Sequence, residues 1–248
     1  MTLEISPAAR AELAPTGVLR AGINLSNFLL VTSRDEKTGD PCGVSPDMAR
    51  ELAARLGVPL KLVPFDSPGK LADAAGGGVW DIGLIGAEPS RAEQIAFTAA
   101  YVEIEATYLV PAGSKLASIA EVDSPGVRIA VSARSAYDLY LSRSLKQATL
   151  VRIEGIDGAY RHFVKQGLDA LAGLKPGLLS NVEELKGARI LDGRFTSVQQ
   201  AMGTPIKNQA GAAFLKGFVE EVKASGFVAG LIAKHHVRGL SVAPAAPR

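Results

Sequence analysis

The chain has 248 residues, 47% apolar and 21% charged, the balance of an ordered globular protein rather than a disordered one. Its 27 basic and 25 acidic side chains leave a net charge of +2 and gather into no block, so the charge pattern gives no footprint for nucleic acid or a membrane surface. A single cysteine, Cys42, excludes an internal disulfide and a cysteine-based zinc cluster.

The length suits one large domain or two of roughly 100–150 residues. The opening MTLEISPAARAELAPTG shows no basic-then-apolar signal pattern, and no run is apolar enough to insert into a membrane. Two alternatives stand: a leader that has been removed, or a protein that stays in the cytoplasm.

In chain order, ISPAARAELAPTG reads as a short helix opened by Ser6-Pro7 and closed at Pro15. VLRAGINL alternates and reads as a strand, followed by the loop SNFLLVTSRDEKTGDPCG. SPDMARELAARLG is a helix capped by Ser45, with Pro46 in its first turn and Gly57 as its stop. Met48, Leu52, Ala53 and Leu56 form its apolar stripe. PLKLVPF is a strand and SPGKLADAAGGG a short helix. WDIGLIG is a strand apolar on both faces, as a parallel strand between helices is, and Trp80 at its start reads as packing. SRAEQIAF reads as a helical turn with Arg91 at its start, and EATYLVP as a fourth strand. This order predicts a doubly wound α/β lobe.

The pattern then restarts. GVRIAVSA, ATLVRIE and LDALAGL read as strands separated by the helices SAYDLYLSRSL and GAYRHFVKQG, a second and smaller α/β lobe. NVEELKG adds a short helix, ARILDGRF a strand and TSVQQAMGTPIK an extended passage. NQAGAAFLKGFVEEVKASGF is a long amphipathic helix, VAGLIAKHH follows it, and SVAPAAPR reads as a frayed tail. A ligand held by two such lobes sits at the strand C-termini of both.

Taken together, these stretches resemble the family 3 extracellular solute-binding proteins, which deliver polar amino acids to ABC importers. The resemblance runs from about Val18 to about Leu240. LRAGINLSNFLL with GVSPDMARELAARLG is similar to the family's opening strand, ligand loop and first helix. SRAEQIAFTAAY is similar to its ERxxxVxFSxPY stretch, VRIAVSARSAYDLYL to KVGVQxGTTxxxYL, and FVKQGLDALAG to LxxGxVDAxxxD. The terminal VKASGFVAGLIAKH also fits. The resemblance implies a two-lobe periplasmic binding protein-like fold of type II, with two doubly wound α/β lobes joined by two crossing strands. Lobe one would take residues 1–110 and 201–248, and lobe two residues 111–200, with a hinge near YLVPAG and QQAMGTP. It also implies a periplasmic location, a monomer, an ABC permease as partner, and no cofactor or metal.

The resemblance assigns Arg91 to the substrate carboxylate. A planar guanidinium beside helix N-terminal amides is a bidentate anion site on physical grounds too; the other reading is a surface arginine paired to Glu88 or Glu93. Gly86 and Ser90 join Glu88 and Arg91 as candidate contacts, Ser90 as the source of a hydroxyl that the family places three residues before the arginine. At that earlier place stands Glu88, which either holds a ligand cation, folds back onto Arg91, or caps the turn. In the opening loop the candidates are Asn24, Asn27 and Phe28, the phenyl ring either covering a ligand or lying in the core. In lobe two, Ser135 caps a helix and could touch a ligand, while Arg134 points either into the cleft or out to water. Arg91 and Arg134 together would suit a dicarboxylate or a phosphate-like group.

One departure outweighs the rest. Where the family ends VDAxxxD in the aspartate that pairs with the ligand's α-ammonium, this chain has Leu174. An ammonium buried against leucine would cost several kcal/mol. The expected ligand is therefore a small carboxylate-bearing metabolite bound in the interlobe cleft, and not an ordinary α-amino acid.

Nucleophile and phosphate-loop motifs are absent from the sequence, and His162, His235 and His236 lack metal-ligand spacing. One enzymatic alternative is a cyclohexadienyl dehydratase-like activity, for which Glu88 is the candidate acid. A cytoplasmic ligand sensor without transport is the other alternative.

Overall fold

The structure is a computed structural model and describes residues 4–247; the outermost ends of the expected first lobe, residues 1–3 and 248, lie outside it. The described chain opens with α1 (Pro7–Leu13), β1 (Leu19–Asn24), β2 (Ser33–Arg34), β3 (Pro41–Cys42) and α2 (Val44–Leu56). Next come β4 (Leu60–Phe65), α3 (Pro68–Asp73), β5 (Ile82–Gly86), α4 (Pro89–Ala92) and β6 (Ile95–Val110). Then follow α5 (Ile119–Val122), β7 (Arg128–Ser132), α6 (Ala136–Ser144), β8 (Thr149–Ile153), α7 (Ile156–Gln166) and β9 (Ala170–Leu174). The chain closes with α8 (Lys175–Glu184), β10 (Arg189–Ile190), β11 (Thr196–Pro205), α9 (Gln209–Ala224), α10 (Phe227–Lys234) and β12 (Ser241–Val242).

These elements fall into two compact units. The described residues up to Glu103 and from Gln199 onward form the first, and Ile104–Val198 the second. The chain leaves the first unit inside β6 and returns inside β11.

In the first unit the strand order is β4-β1-β5-β11. β1 runs parallel to both β4 and β5, and β11 is antiparallel to β5, with Gln200 opposite Gly86. The core gathers β1 (Leu19, Ala21, Ile23), the α2 stripe and Leu215, Phe218 and Val222 of α9. Trp80 is buried in packing, its Nε1 donating to the Leu71 carbonyl at 3.0 Å.

In this unit the start of α2, the first loop and the tail differ from the sequence reading. First, α2 begins at Val44, so Ser45 is not its cap; Gly43 holds that place without a side-chain bond. Gly43 has φ +146°, and a Cβ there would lie 2.3 Å from the Leu30 carbonyl oxygen, so close backbone packing sets the helix start. Ser45 Oγ instead meets Tyr101 Oη at 2.8 Å inside the core. Second, the first loop contains the small hairpin β2–β3. Third, the tail is not frayed over its described residues. β12 pairs with β6, Lys223 Nζ donates to the Pro244 carbonyl at 2.8 Å, and Ala246 N donates to Glu220 Oε2 at 3.1 Å.

α10 is tied to α2 through Asp47. Its carboxylate accepts from Arg50 Nη1 at 2.7 Å and Lys234 Nζ at 2.8 Å, and lies 2.8 Å from His235 Nε2. Burial works to raise the Asp47 carboxyl, but the hydrogen bonds with Lys234, His235 and Arg50 outweigh it and hold the group below its ordinary value.

In the second unit the order is β6-β9-β7-β8. β7 runs parallel to β8 and β9, and β6 is antiparallel to β9. Phe163, Leu171, Leu178 and Leu109 are in its core. α8 starts at Lys175, directly after β9, rather than at Asn181. The dipeptide Pro176-Gly177 looks like a breaker, yet proline is at home in a first helical turn. Leu178 then packs onto Gly173, where a Cβ would come within 2.9 Å of its Cδ2.

Candidate functional site

Parallel strands end together, so the candidate residues of each unit collect at one sheet edge. In the first unit, β1 and β5 bring Asn24 and Gly86 to the same edge. Asn24 Oδ1 accepts from Ser26 N at 3.2 Å and Ser26 Oγ at 2.8 Å, and Asn27 Oδ1 accepts from Leu29 N at 3.2 Å. Both amide oxygens therefore shape the loop that carries them. Phe28 is 42% exposed, which removes the core reading for its ring.

Arg91 is buried, at 6% exposure, and its Nη1 donates to the Gly86 carbonyl oxygen at 2.6 Å. The guanidinium is thus laid back over the end of β5. Arg91 is the third residue of a four-residue helix rather than the start of a longer turn, and β6 begins at Ile95. Helix amides and dipole therefore add little there. Glu88 is half-buried and precedes the helix in extended conformation, but its carboxylate makes no capping bond. Ser90 is exposed.

At the edge of the second unit, the turn after β7 is fixed by a reciprocal cap. Ser135 Oγ accepts from Asp138 N at 3.1 Å, and Asp138 Oδ2 accepts from Arg134 N at 2.7 Å. Asp138 is buried at 2% exposure, and its Oδ1 also accepts from Arg152 Nε at 2.9 Å. Arg134 has φ +59°, a left-handed conformation rare for a residue other than glycine, and its side chain is exposed. Tyr137 lies beneath; burial pushes its hydroxyl up to about 12, against hydrogen bonds with Ser135 and Ser132 that draw it down. The Ser135 hydroxyl is thus committed to capping and to Tyr137.

Leu174 ends β9 opposite Ala106 of β6 and is buried at 7% exposure. It also stands at the cap position of α8, where it offers no side-chain bond. The carboxylate next along the chain from its partner is Glu105. Glu105 accepts from Lys175 Nζ at 2.9 Å and from Arg194 Nη1 at 3.0 Å. The bond from Lys175, ahead of the opposing cost of burial, holds the Glu105 carboxyl below its ordinary value, and Arg194 adds to the effect. Sequence reasoning missed this trio. The position of Lys175, one residue after the strand, was the available signal, and the misread start of α8 hid it.

Among the described residues no group of histidine, cysteine, aspartate or glutamate is arranged to hold a metal ion, and no helix is long and apolar enough to cross a membrane.

Residues 24–237 match the family described as bacterial extracellular solute-binding proteins, family 3. The chain belongs to that family. Its proteins serve amino-acid ABC transporters, and the fold is the two-lobe periplasmic binding protein-like one. Solved structures agree on the fold. A mutant of ArgBP from T. maritima is 22% identical with a TM-score of 0.73, covering 93% of this chain and 100% of that one. An amino acid ABC transporter substrate-binding protein from Streptococcus pneumoniae, bound to L-arginine, is 18% identical with a TM-score of 0.73, covering 95% and 99%. An ancestral amino acid-binding protein, a precursor of cyclohexadienyl dehydratase, is 21% identical with a TM-score of 0.73, covering 91% and 97%. No curated protein sequence matches the chain.

Proposed function

We propose that the protein is the binding component of an ABC-type importer and takes a small carboxylate-bearing metabolite without an α-ammonium group. The capture site is the one the family resemblance implies, the interlobe cleft, with Arg91 as the carboxylate anchor. One observation carries the choice of ligand class. The side chain that ends β9, the buried Leu174, gives an ammonium no acceptor, and the neighbouring acid, Glu105, already accepts from Lys175 and Arg194. A ligand ammonium brought to that edge would lose water without gaining a partner. L-arginine, the ligand bound in the Streptococcus pneumoniae structure, carries such a group; this chain departs at the residue assigned to it.

Binding in this reading is reversible and involves no chemistry. Incubation with prephenate or arogenate is expected to give no ultraviolet product signal. A melting-temperature screen of carboxylic acids against the matching amino acids tests the ligand class. A ligand at about 100 times its Kd adds about 2.7 kcal/mol of stability, enough to register as a shift. Hits confined to amino acids would overturn the proposal.

A further inference from the structure

Within the first unit, the antiparallel pairing of β5 and β11 sets a polar side chain beside the carbonyl that holds Arg91. Ala87 N donates to the Gln199 carbonyl at 2.7 Å, so the adjoining pair, Gly86 and Gln200, face each other without mutual hydrogen bonds. Such a pair brings its Cα atoms to about 4.5 Å and its side chains close together. Gly86 has no side chain, so nothing on β5 fills the place beside Gln200. Leu84 and Met202, the neighbouring pair on the same face, are core residues. Gln200 thus stands where the core face of the sheet reaches its edge. It is 5% exposed, and its carboxamide makes no hydrogen bond among the described residues. Other buried polar side chains along these strands are paired: Thr98 Oγ1 accepts from Met202 N at 3.2 Å, and Thr204 Oγ1 donates to the Asp81 carbonyl at 2.9 Å. An unpaired amide at this depth costs stability, and a glutamine kept only for structure would be bonded to its surroundings. Gly86, Arg91 and Gln200 all belong to the one unit.

From this placement we infer that Gln200 is a specificity-determining residue whose carboxamide receives the ligand next to the carboxylate held by Arg91, so that the preferred class is a 2-hydroxy acid. The inference rests on the reading that Arg91 anchors that carboxylate. A primary amide presents a donor and an acceptor side by side. A carboxylate oxygen and a hydroxyl on the adjoining carbon are the matching pair: the oxygen accepts from Nε2 while the hydroxyl donates to Oε1. An acid without the hydroxyl leaves Oε1 unpaired, and a 2-oxo acid sets an acceptor against it. An α-ammonium would donate to Oε1 as well, but its other N–H groups and its full charge remain, and a neutral amide supplies no countercharge.

Calorimetry on the full chain tests it, with lactate against propionate, malate against succinate and 2-hydroxyglutarate against glutarate, each hydroxy acid as both enantiomers. Wild type is expected to bind the better enantiomer of its best hydroxy acid at least about fivefold tighter than the matched acid without the hydroxyl, the worth of one hydrogen bond. Gln200→Met is expected to bring that ratio to about one and to melt no lower than wild type, since it removes an unpaired buried amide. Gln200→Asn, which keeps the amide but withdraws it by one methylene, is expected to lose the ratio as well. Wild type that shows no preference overturns the inference. So does a Gln200→Met protein that keeps the preference and only melts lower, since Gln200 would then be structural. Arg91→Ala separates the two claims, because it is expected to weaken both members of each pair and leave their ratio. If it weakens both while Gln200→Met leaves the ratio unchanged, the anchor stands and this inference fails. If Arg91→Ala changes neither acid, the anchor itself fails. Wild type that binds neither member of any pair overturns both.

Discussion

The two sheet edges place an arginine after a strand in opposite ways. After β5 the arginine itself is the packed element: Arg91 is buried and bonded to the Gly86 carbonyl. After β7 the packed element is an acid, and Asp138, buried under the turn, takes up the backbone of Arg134 and leaves that side chain exposed. A buried guanidinium is held in one orientation at low entropic cost to a ligand, but its removal disturbs the fold. An exposed one contributes little to stability and can be removed cleanly. A substitution of the arginine is therefore expected to disturb packing at the first edge more than at the second.

Substitutions can break this contrast. The largest stability effect is expected for Asp138→Ala, which removes the carboxylate half of the reciprocal cap and the side-chain bonds from Arg152 and Ser142 together. A loss of about 2–4 kcal/mol in urea unfolding is the expectation. A loss under about 1 kcal/mol would show that the turn after β7 is not held by its acid. Arg91→Ala is next, with a loss of about 1.5–3 kcal/mol in carboxylate binding and a lower melting temperature as well. Unchanged affinity in calorimetry would remove Arg91 as the anchor. Ser135→Ala is expected to cost about 1 kcal/mol, the worth of an N-cap. Arg134→Ala is expected to change stability by less than about 0.5 kcal/mol, as for an exposed surface residue. A larger loss on urea unfolding would mean that both edges pack their arginines.

Acid titration gives a graded test in the first unit. The folded Asp47 carboxyl lies below its unfolded value, so it contributes stability that is fully present above the unfolded value of about 3.9. That contribution disappears as pH falls through the folded value. Asp47→Asn is expected to be less stable than wild type at neutral pH and to lose less on acidification over that window. Parallel melting curves for the two proteins from pH 7 to about 2 would contradict the assignment.

The same contrast shows what the sequence made legible. Buried parallel strands such as β5 and β7 stand out as short apolar runs, and helices such as α1 and α3 announce themselves by serine followed by proline. Ser135 could be read as a cap because its bond partner lies three residues away. Starts decided by tertiary contact could not. α2 begins where Gly43 meets Leu30, and the start of α8 is hidden by Pro176-Gly177, a pair that reads as a break. The cluster on Glu105 draws Lys175 and Arg194 from segments far apart in sequence, and the place of Lys175 directly after β9 was its one local sign. Phe28 was ambiguous for a related reason: an apolar residue in a loop shows its exposure only once the loop is folded.

The most direct test of the account compares one amino acid with its deaminated acid. L-Glutamate and glutarate would be titrated calorimetrically into wild type, Leu174→Asp and Glu88→Gln. The account predicts that wild type binds glutarate more tightly than L-glutamate, and that Leu174→Asp reverses the order by accepting the ammonium and repelling the diacid. Micromolar or tighter binding of L-glutamate by wild type, lost in Glu88→Gln, would contradict it, since Glu88 would then be serving the ammonium that Leu174 cannot.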